Sequence, residues 1–247
     1  MRKLLVINPN TSEPVTGLLQ KHVQQAAGSH VHVHAVTARF GAPYISDEAS
    51  YAVAAHAMLD AWAMALAQGD SPDAVLIGCF GDPGLTALRE SSPAPVTGLA
   101  EAAFIEAARH GRFAVVTGGE RWAPILQRLA QSLGHASALA GIHTVAPSGA
   151  QLAADPEGAR QLLTQACLDA VRQLGVQTVI LGGAGLAGMA AGIQPFVNVP
   201  IVDSVIAGAT WAMRSHPTPL GRRTAGFDVP WVNLTLELQA LGAPSNY

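Results

Sequence analysis

Val75-Leu76-Ile77-Gly78-Cys79-Phe80-Gly81-Asp82-Pro83-Gly84-Leu85 returns later in the chain, altered, as Val179-Ile180-Leu181-Gly182-Gly183-Ala184-Gly185-Leu186. Each copy is an apolar run, a glycine, one variable residue and a glycine-containing turn that leads into a helix. An aliphatic run with no polar alternation reads as a strand covered on both faces, which is the pattern of a parallel sheet. Shortly after each copy comes a proline followed by a β-branched residue, Pro95-Val96 and Pro200-Ile201. The opening segment Val6-Ile7-Asn8-Pro9-Asn10-Thr11 has a looser counterpart in Val115-Val116-Thr117-Gly118-Gly119. The chain therefore reads as a duplicated half.

Outward from these copies, short β-branched runs alternate with longer Ala/Leu-rich stretches. Leu4 to Ile7, Val31 to Val36, Ala74 to Ile77, Phe113 to Val116, Val179 to Leu181 and the region of Val199 to Val202 read as strands. Helices are predicted through Val15, Leu18, Leu19 and Val23, which share one face, and from about Asp47 to Leu66. Two more carry Leu162, Leu163, Cys167 and Val171, and Trp211. This alternation predicts an α/β fold of two pseudo-symmetric lobes, each a mostly parallel sheet flanked by helices. Lobe 1 is expected at 1–98 plus about 205–247, and lobe 2 at 99–204. Ligands of such sheets lie beyond the carboxyl ends of the strands, so four polar turns would meet in an interlobe cleft. The stretch from Pro217 onward, rich in Pro and Gly, shows no clear period.

Composition narrows the partners. Of 247 residues 49% are hydrophobic and 13% charged, with a net charge of −3 and no basic run. Nucleic acid and anionic membrane are therefore not expected as partners. The apolar run after Met1-Arg2-Lys3 stops at Asn8, short of the ~7–15 residues a signal peptide needs, and no stretch reaches the ~20 of a membrane span. Two cysteines make no disulfide framework, and a cytoplasmic protein is expected. Low charge weakly favours self-association.

Cys79 is the sharpest chemical signal, standing at a strand end between two glycines in a turn that leads into a helix. Backbone N–H groups there would lower its pKa from ~8.5, although a free cysteine is also a common small core residue. Cys167, among Leu162, Leu163 and Val171, reads as core. Thr11 or Ser12 could cap a helix, line a site, or do both, and Thr117-Gly118-Gly119 allows the same two readings. His30, His32 and His34 alternate on one strand face, better explained by a solvated edge than by a metal, since no Cys or acid stands near in sequence. Asp82 suits a turn with Pro83 and Gly84, and Asp203 suits either a catalytic role or a helix N-cap. The glycines of 182–188 lack the spacing and the lysine of a phosphate loop.

On Ile7-Asn8-Pro9-Asn10-Thr11-Ser12, Gly78-Cys79-Phe80-Gly81-Asp82-Pro83-Gly84 and the Gly182 to Met189 turn, the sequence resembles the aspartate/glutamate/hydantoin racemase superfamily, closest to its hydantoin and allantoin branch. The resemblance implies a cofactor-free enzyme without a metal in which one cysteine from each lobe flanks the substrate's stereocentre. One thiolate takes the α-proton and the opposite thiol returns one. Cys79 takes the first-lobe role. Asn8, Asn10, Thr11, Phe80, Gly81 and Asp82 are implied around the substrate from the first lobe, and Thr117, Gly118, Gly183, Ala184 and Gly185 from the second. A homo-oligomer acting on a small carboxylate or hydantoin is implied as well.

The second-lobe cysteine falls at Gly183, which has no group that moves a proton. Tyr44-Ile45-Ser46 replaces a Ser-Ile-Glu stretch frequent in relatives. Three readings follow: a racemase or epimerase acting at the α-carbon of a hydantoin, allantoin or amino-acid-like substrate; a single-cysteine decarboxylase or isomerase of arylmalonate-like carboxylates; and a lapsed binder. Arylmalonate decarboxylases, in this resemblance, hold their cysteine in the second lobe and glycine in the first. The reversed arrangement predicts a product of opposite hand, and Gly183→Cys is expected to raise racemisation.

Overall fold

The computed structural model describes residues 1–214 and 225–242. The first half runs β1 (Arg2–Asn8), α1 (Glu13–Ala27), β2 (Val31–Thr37), α2 (Glu48–Ala67), β3 (Ala74–Ile77), α3 (Leu85–Ser91), β4 (Val96–Gly98) and α4 (Leu99–Ala108). The second runs β5 (Phe113–Gly118), α5 (Trp122–Ser132), β6 (Leu139–Val145), α6 (Gly149–Ala154), α7 (Pro156–Leu174), β7 (Thr178–Gly182), α8 (Ala190–Ile193), β8 (Ile201–Asp203) and α9 (Ser204–Arg214). A short α10 (Leu236–Leu241) follows.

Each half forms a four-stranded parallel sheet of the same order, β2-β1-β3-β4 and β6-β5-β7-β8. The two repeat copies are the third strands, β3 and β7, and the looser pair Val6–Thr11 and Val115–Gly119 belongs to the central β1 and β5. The internal duplication read from the sequence is thus a duplication of topology. Two strands escaped the reading or were only hinted at. β6 carries His143 and Thr144 on an edge and is half-buried along most of its length, so it lacks the continuous apolar signature of its neighbours. β4 has three residues and was visible only as a Pro–Val pair.

Strand alternation explains the layering. In β1, Leu4 and Val6 face the core between the sheets, while Leu5 and Ile7 face Met58 and Trp62 of α2. In β5, Phe113 and Val115 join the central core, while Ala114 and Val116 pack with Leu163 and Cys167 of α7. Both strands are buried on both faces, as continuous apolar runs require. α4, leaving the first sheet, packs on β7 of the second; α9, leaving the second, packs on β3 of the first. These crossed helices touch each other, and one apolar core continues from sheet to sheet. The predicted extent of lobe 1 to 247 falls partly outside the described residues.

Helix boundaries have local causes. Asp47 and Ser50 form a reciprocal capping box at the start of α2. Asp155 caps α7, whose end is closed by Gly175 in the left-handed conformation. Ser12 occupies the N-cap position of α1 but makes no side-chain cap, and Pro14 supplies the helix start instead. The histidine strand β2 is an edge with His32 and His34 exposed. An acid distant in sequence does stand near it, since His34 Nδ1 lies 3.0 Å from Asp70. Among the described residues no group of three His, Cys, Asp or Glu could hold a metal, and no helix is long and apolar enough to cross a membrane.

Candidate active site

The carboxyl ends of β1, β3, β5 and β7 converge on one cavity of about 60 Å³. The first half contributes Asn10, Val15, Pro43, Tyr44, Ile45, Gly78, Cys79 and Phe80. The second contributes Thr117, Gly118, Trp122, Gly149 and the Gly182–Leu186 turn. Of the residues named from the sequence, Cys79, Asn10, Phe80, Thr117, Gly118, Gly183, Ala184 and Gly185 line the cavity, whereas Asn8, Thr11, Gly81 and Asp82 stand behind it.

Those four hold the site from behind. The fully buried Asn8 shares the two N–H groups of its Nδ2 among Asn10 Oδ1 (2.9 Å), Ser12 O (3.1 Å) and Thr16 Oγ1 (3.0 Å). Asn10 Oδ1 also accepts from Ser12 N (2.9 Å), so the oxygen end of this amide is engaged within the turn. Thr11 N–H donates to Ala42 O (3.1 Å) and ties the first turn to the loop that brings Pro43, Tyr44 and Ile45 in. Gly81 has φ +154°, and a Cβ there would run into Trp122; its carbonyl accepts from Tyr51 Oη at 2.6 Å.

Asp82 is a turn residue with a second task. At φ +52° it buries its carboxylate and accepts from Ala100 N (2.9 Å) and Glu101 N (2.7 Å), capping α4 across the turn. Gly98 opens α4, and a Cβ there would overlap that carboxylate. The second half reverses the arrangement. Asp203, directly before α9, accepts from Val205 N (2.9 Å), Ile206 N (3.1 Å) and, from the turn, Gly188 N (2.8 Å). Asp203 is therefore an N-cap, and it stands outside the cavity lining. In each half a buried carboxylate fastens the third-strand turn to the crossover helix, donated once by the turn and once by the helix start.

The expectation of a lowered Cys79 pKa is corrected by the structure. α3 begins only at Leu85, capped by Gly84, so no helix N-terminus reaches the thiol. Cys79 is 7% exposed, and burial first, then the Asp82 charge, push the thiol well above its ordinary range. Burial also raises Asp82 to about 7 despite the backbone N–H groups that favour its charged form. Burial therefore favours the neutral thiol form of Cys79. Cys167 is fully buried on the core face of α7 and pushed up to about 12 by burial, the core cysteine its neighbours predicted.

Gly183 occupies the place that the repeat matches to Cys79, in a backbone conformation that suits glycine. A Cβ there would meet only Leu186 at 3.4 and 3.5 Å, ordinary contact. Its φ of +144° is the obstacle, a conformation L side chains rarely adopt. Its N–H donates to the buried Ser204 Oγ (3.2 Å). At Gly182 the reason is different: the Phe80 ring lies where a Cβ would project, so the two turns interlock across the cleft.

Sequence reading missed Trp122 and Gly149 as site residues and met Tyr44 only as a departure. Trp122 follows the Gly118-Gly119 turn at the start of α5, a position that by repeat logic faces the cleft. Gly149 carried no signal: it touches the Gly185 backbone through a long-range approach. On the rim, Glu48 pairs with Arg128 (2.7 Å) and Asp47 with Arg121 (3.7 Å), joining α2 to α5 and the residue before it across the cleft.

The chain belongs to the Asp/Glu/Hydantoin racemase family, whose sequence profile matches residues 4–212. It is 30% identical over 224 residues to a hydantoin racemase of Pseudomonas sp. (strain NS671), covering 90% of this chain and 88% of that protein. The structure of allantoin racemase from Klebsiella pneumoniae superposes with a TM-score of 0.86 at 29% identity, over 98% of this chain and 99% of that one. A liganded arylmalonate decarboxylase variant shares the fold, with TM-score 0.64 and 17% identity over 91% of this chain and 97% of that one.

Proposed function

We propose that this protein is a cofactor-independent racemase or epimerase acting at the ring carbon next to the carbonyl of a hydantoin or allantoin, with Cys79 as acid and base. The observation that carries this reading is the charge of the cavity. Among the described residues, none that lines it is Lys, Arg, His, Asp or Glu. A free carboxylate in such a place would be buried without a counter-ion, at a cost of several kcal/mol. A five-membered cyclic ureide is uncharged near neutral pH, and its carbonyl and N–H groups match an Asn10 amide and backbone polar groups. Val15, Pro43, Ile45, Phe80 and Leu186 offer apolar surface to a ring substituent.

Cys79 first gives its proton to solvent; the thiolate then takes the hydrogen from carbon as the electron pair moves into the carbonyl, and the enolate so formed accepts hydrogen bonds in place of the carbonyl. Re-protonation on the other face inverts the centre. The second reading, a one-cysteine decarboxylase, draws on Gly183, but its malonate-type substrate carries two charges into a cavity without a cation. Optical rotation with enantiopure 5-substituted hydantoins, allantoin, aspartate, glutamate and phenylmalonate, the last also followed for CO₂ release, separates the two. Loss of rotation confined to the uncharged rings is expected. CO₂ release from phenylmalonate with static hydantoins would overturn the proposal in favour of the lyase.

A further inference from the structure

Inversion needs a proton-moving group on the side of the cavity that Gly183 leaves bare. Among the described residues, three side chains of the lining carry a proton on sulfur or oxygen: Cys79, Tyr44 and Thr117. An aliphatic hydroxyl such as that of Thr117 is a far weaker acid than a phenol. Tyr44 belongs to the loop after β2, yet its hydroxyl reaches the opposite sheet and donates to Gly118 O at 3.2 Å. The β5–β7 register pairs Thr117 with Gly182, which sets Gly118 at the strand end beside Gly183. That is the position the internal repeat matches to Cys79. The phenol oxygen therefore lies at the end of the second sheet, while the thiol lies at the end of the first.

From this placement we infer that Tyr44 is the second catalytic residue, exchanging a proton with the substrate face opposite Cys79. The assignment rests on the racemase reading above. In one direction the Cys79 thiolate forms its S–H bond as the substrate C–H bond breaks. The enolate then draws the Tyr44 proton onto carbon, leaving Cys79 neutral and Tyr44 as phenolate. The reverse direction starts from that phenolate. At 3.2 Å the bond to Gly118 is longer than the usual O–H···O range and so a weak competitor for the phenol proton.

The surroundings suit such a pair. Burial raises Tyr44 above its ordinary value, Trp122 and Gly149 oppose that by facing its oxygen, and a charge on Cys79 raises it further. A charge on either group disfavours a charge on the other, so the pair carries at most one anion. Opposite protonation states are what a two-base exchange requires.

The test follows deuterium exchange and inversion separately, by NMR and chiral chromatography in D₂O, for each enantiomer of 5-benzylhydantoin. Wild type, Tyr44→Phe and Cys79→Ser are compared. Tyr44→Phe is expected to lose inversion at least ~100-fold, the low end for removal of a general acid or base. It should keep Cys79-dependent exchange with retention for the one enantiomer whose hydrogen faces the thiol, which also shows that the variant is folded. Inversion by Tyr44→Phe within about threefold of wild type overturns the assignment. Equal loss of exchange for both enantiomers also overturns it, making Tyr44 a positioning residue. Absence of Cys79-dependent exchange in wild type removes the racemase reading itself, and this inference with it.

Discussion

At the scale of single residues the account turns on Cys79 and Gly183. A buried thiol beside the Asp82 carboxylate holds its proton more tightly than a free one, so its deprotonated fraction grows only in alkaline solution. Iodoacetamide labelling of Cys79, read by mass spectrometry against Cys79→Ser, is expected to rise with pH to beyond the ~8.5 of an ordinary thiol. Complete rapid labelling at pH 7 would contradict the environment described. Gly183 holds φ +144°, and a Cβ there would make only ordinary contact with Leu186, so the cost of a side chain there is backbone strain and not overlap. Gly183→Ala is expected to lower unfolding stability by ~1–3 kcal/mol in urea titrations. The same strain bears on Gly183→Cys. A second thiol at this position raises racemisation only if the turn abandons its present conformation, so a fall in stability should accompany any gain. Cys79 was legible from its strand-end setting, but its raised pKa was not, because that depends on where α3 begins and on Asp82 folding back beneath the turn.

At the scale of elements, the crossover helices α4 and α9 are each fastened by a buried carboxylate to the turn carrying Cys79 or Gly183. Asp82, raised to about 7 in the fold, is protonated there under conditions that ionise it in the unfolded chain. The folded state then binds more protons, so this group's contribution is complete below pH ~4 and is lost as pH rises towards 7. The difference in melting temperature between wild type and Asp82→Asn should therefore change across pH 4–7, wild type losing ground as pH rises. A pH-independent difference would mean that Asp82 stays charged throughout. The buried strands of the repeat were readable because both faces are covered, leaving an unbroken apolar run. β6 was not, being an edge strand whose half-buried residues mix Gly141, His143 and Thr144. The two carboxylate clasps were hidden for a different reason. Asp82 meets α4 at a sequence separation that no local pattern encodes, whereas Asp203 stands directly before its helix and was readable as a cap.

At the scale of the whole molecule, the duplicated halves enclose one continuous core and exchange their final helices, α4 and α9. Two lobes so joined should unfold together. Calorimetry is expected to show one transition with equal calorimetric and van't Hoff enthalpies, and two resolved transitions would contradict the shared core. The rim pairs Glu48–Arg128 and Asp47–Arg121 are exposed, so Arg128→Ala should change stability by less than ~1 kcal/mol. The architecture and the meeting of four strand-end turns in one cleft could be drawn from the repeat, whereas the individual cavity residues were implied by the family resemblance. Trp122, Tyr44 and Gly149 needed the second sheet in place, since each reaches the cavity by crossing or bordering the cleft. The central claim is that Cys79 moves a proton at carbon of an uncharged cyclic ureide. Its most direct test is the loss of the α-hydrogen NMR signal of enantiopure 5-benzylhydantoin in D₂O with wild type and Cys79→Ser, corrected for the spontaneous rate. The account predicts enzyme-dependent exchange that falls at least ~100-fold in Cys79→Ser. Equal exchange by the two proteins would contradict it.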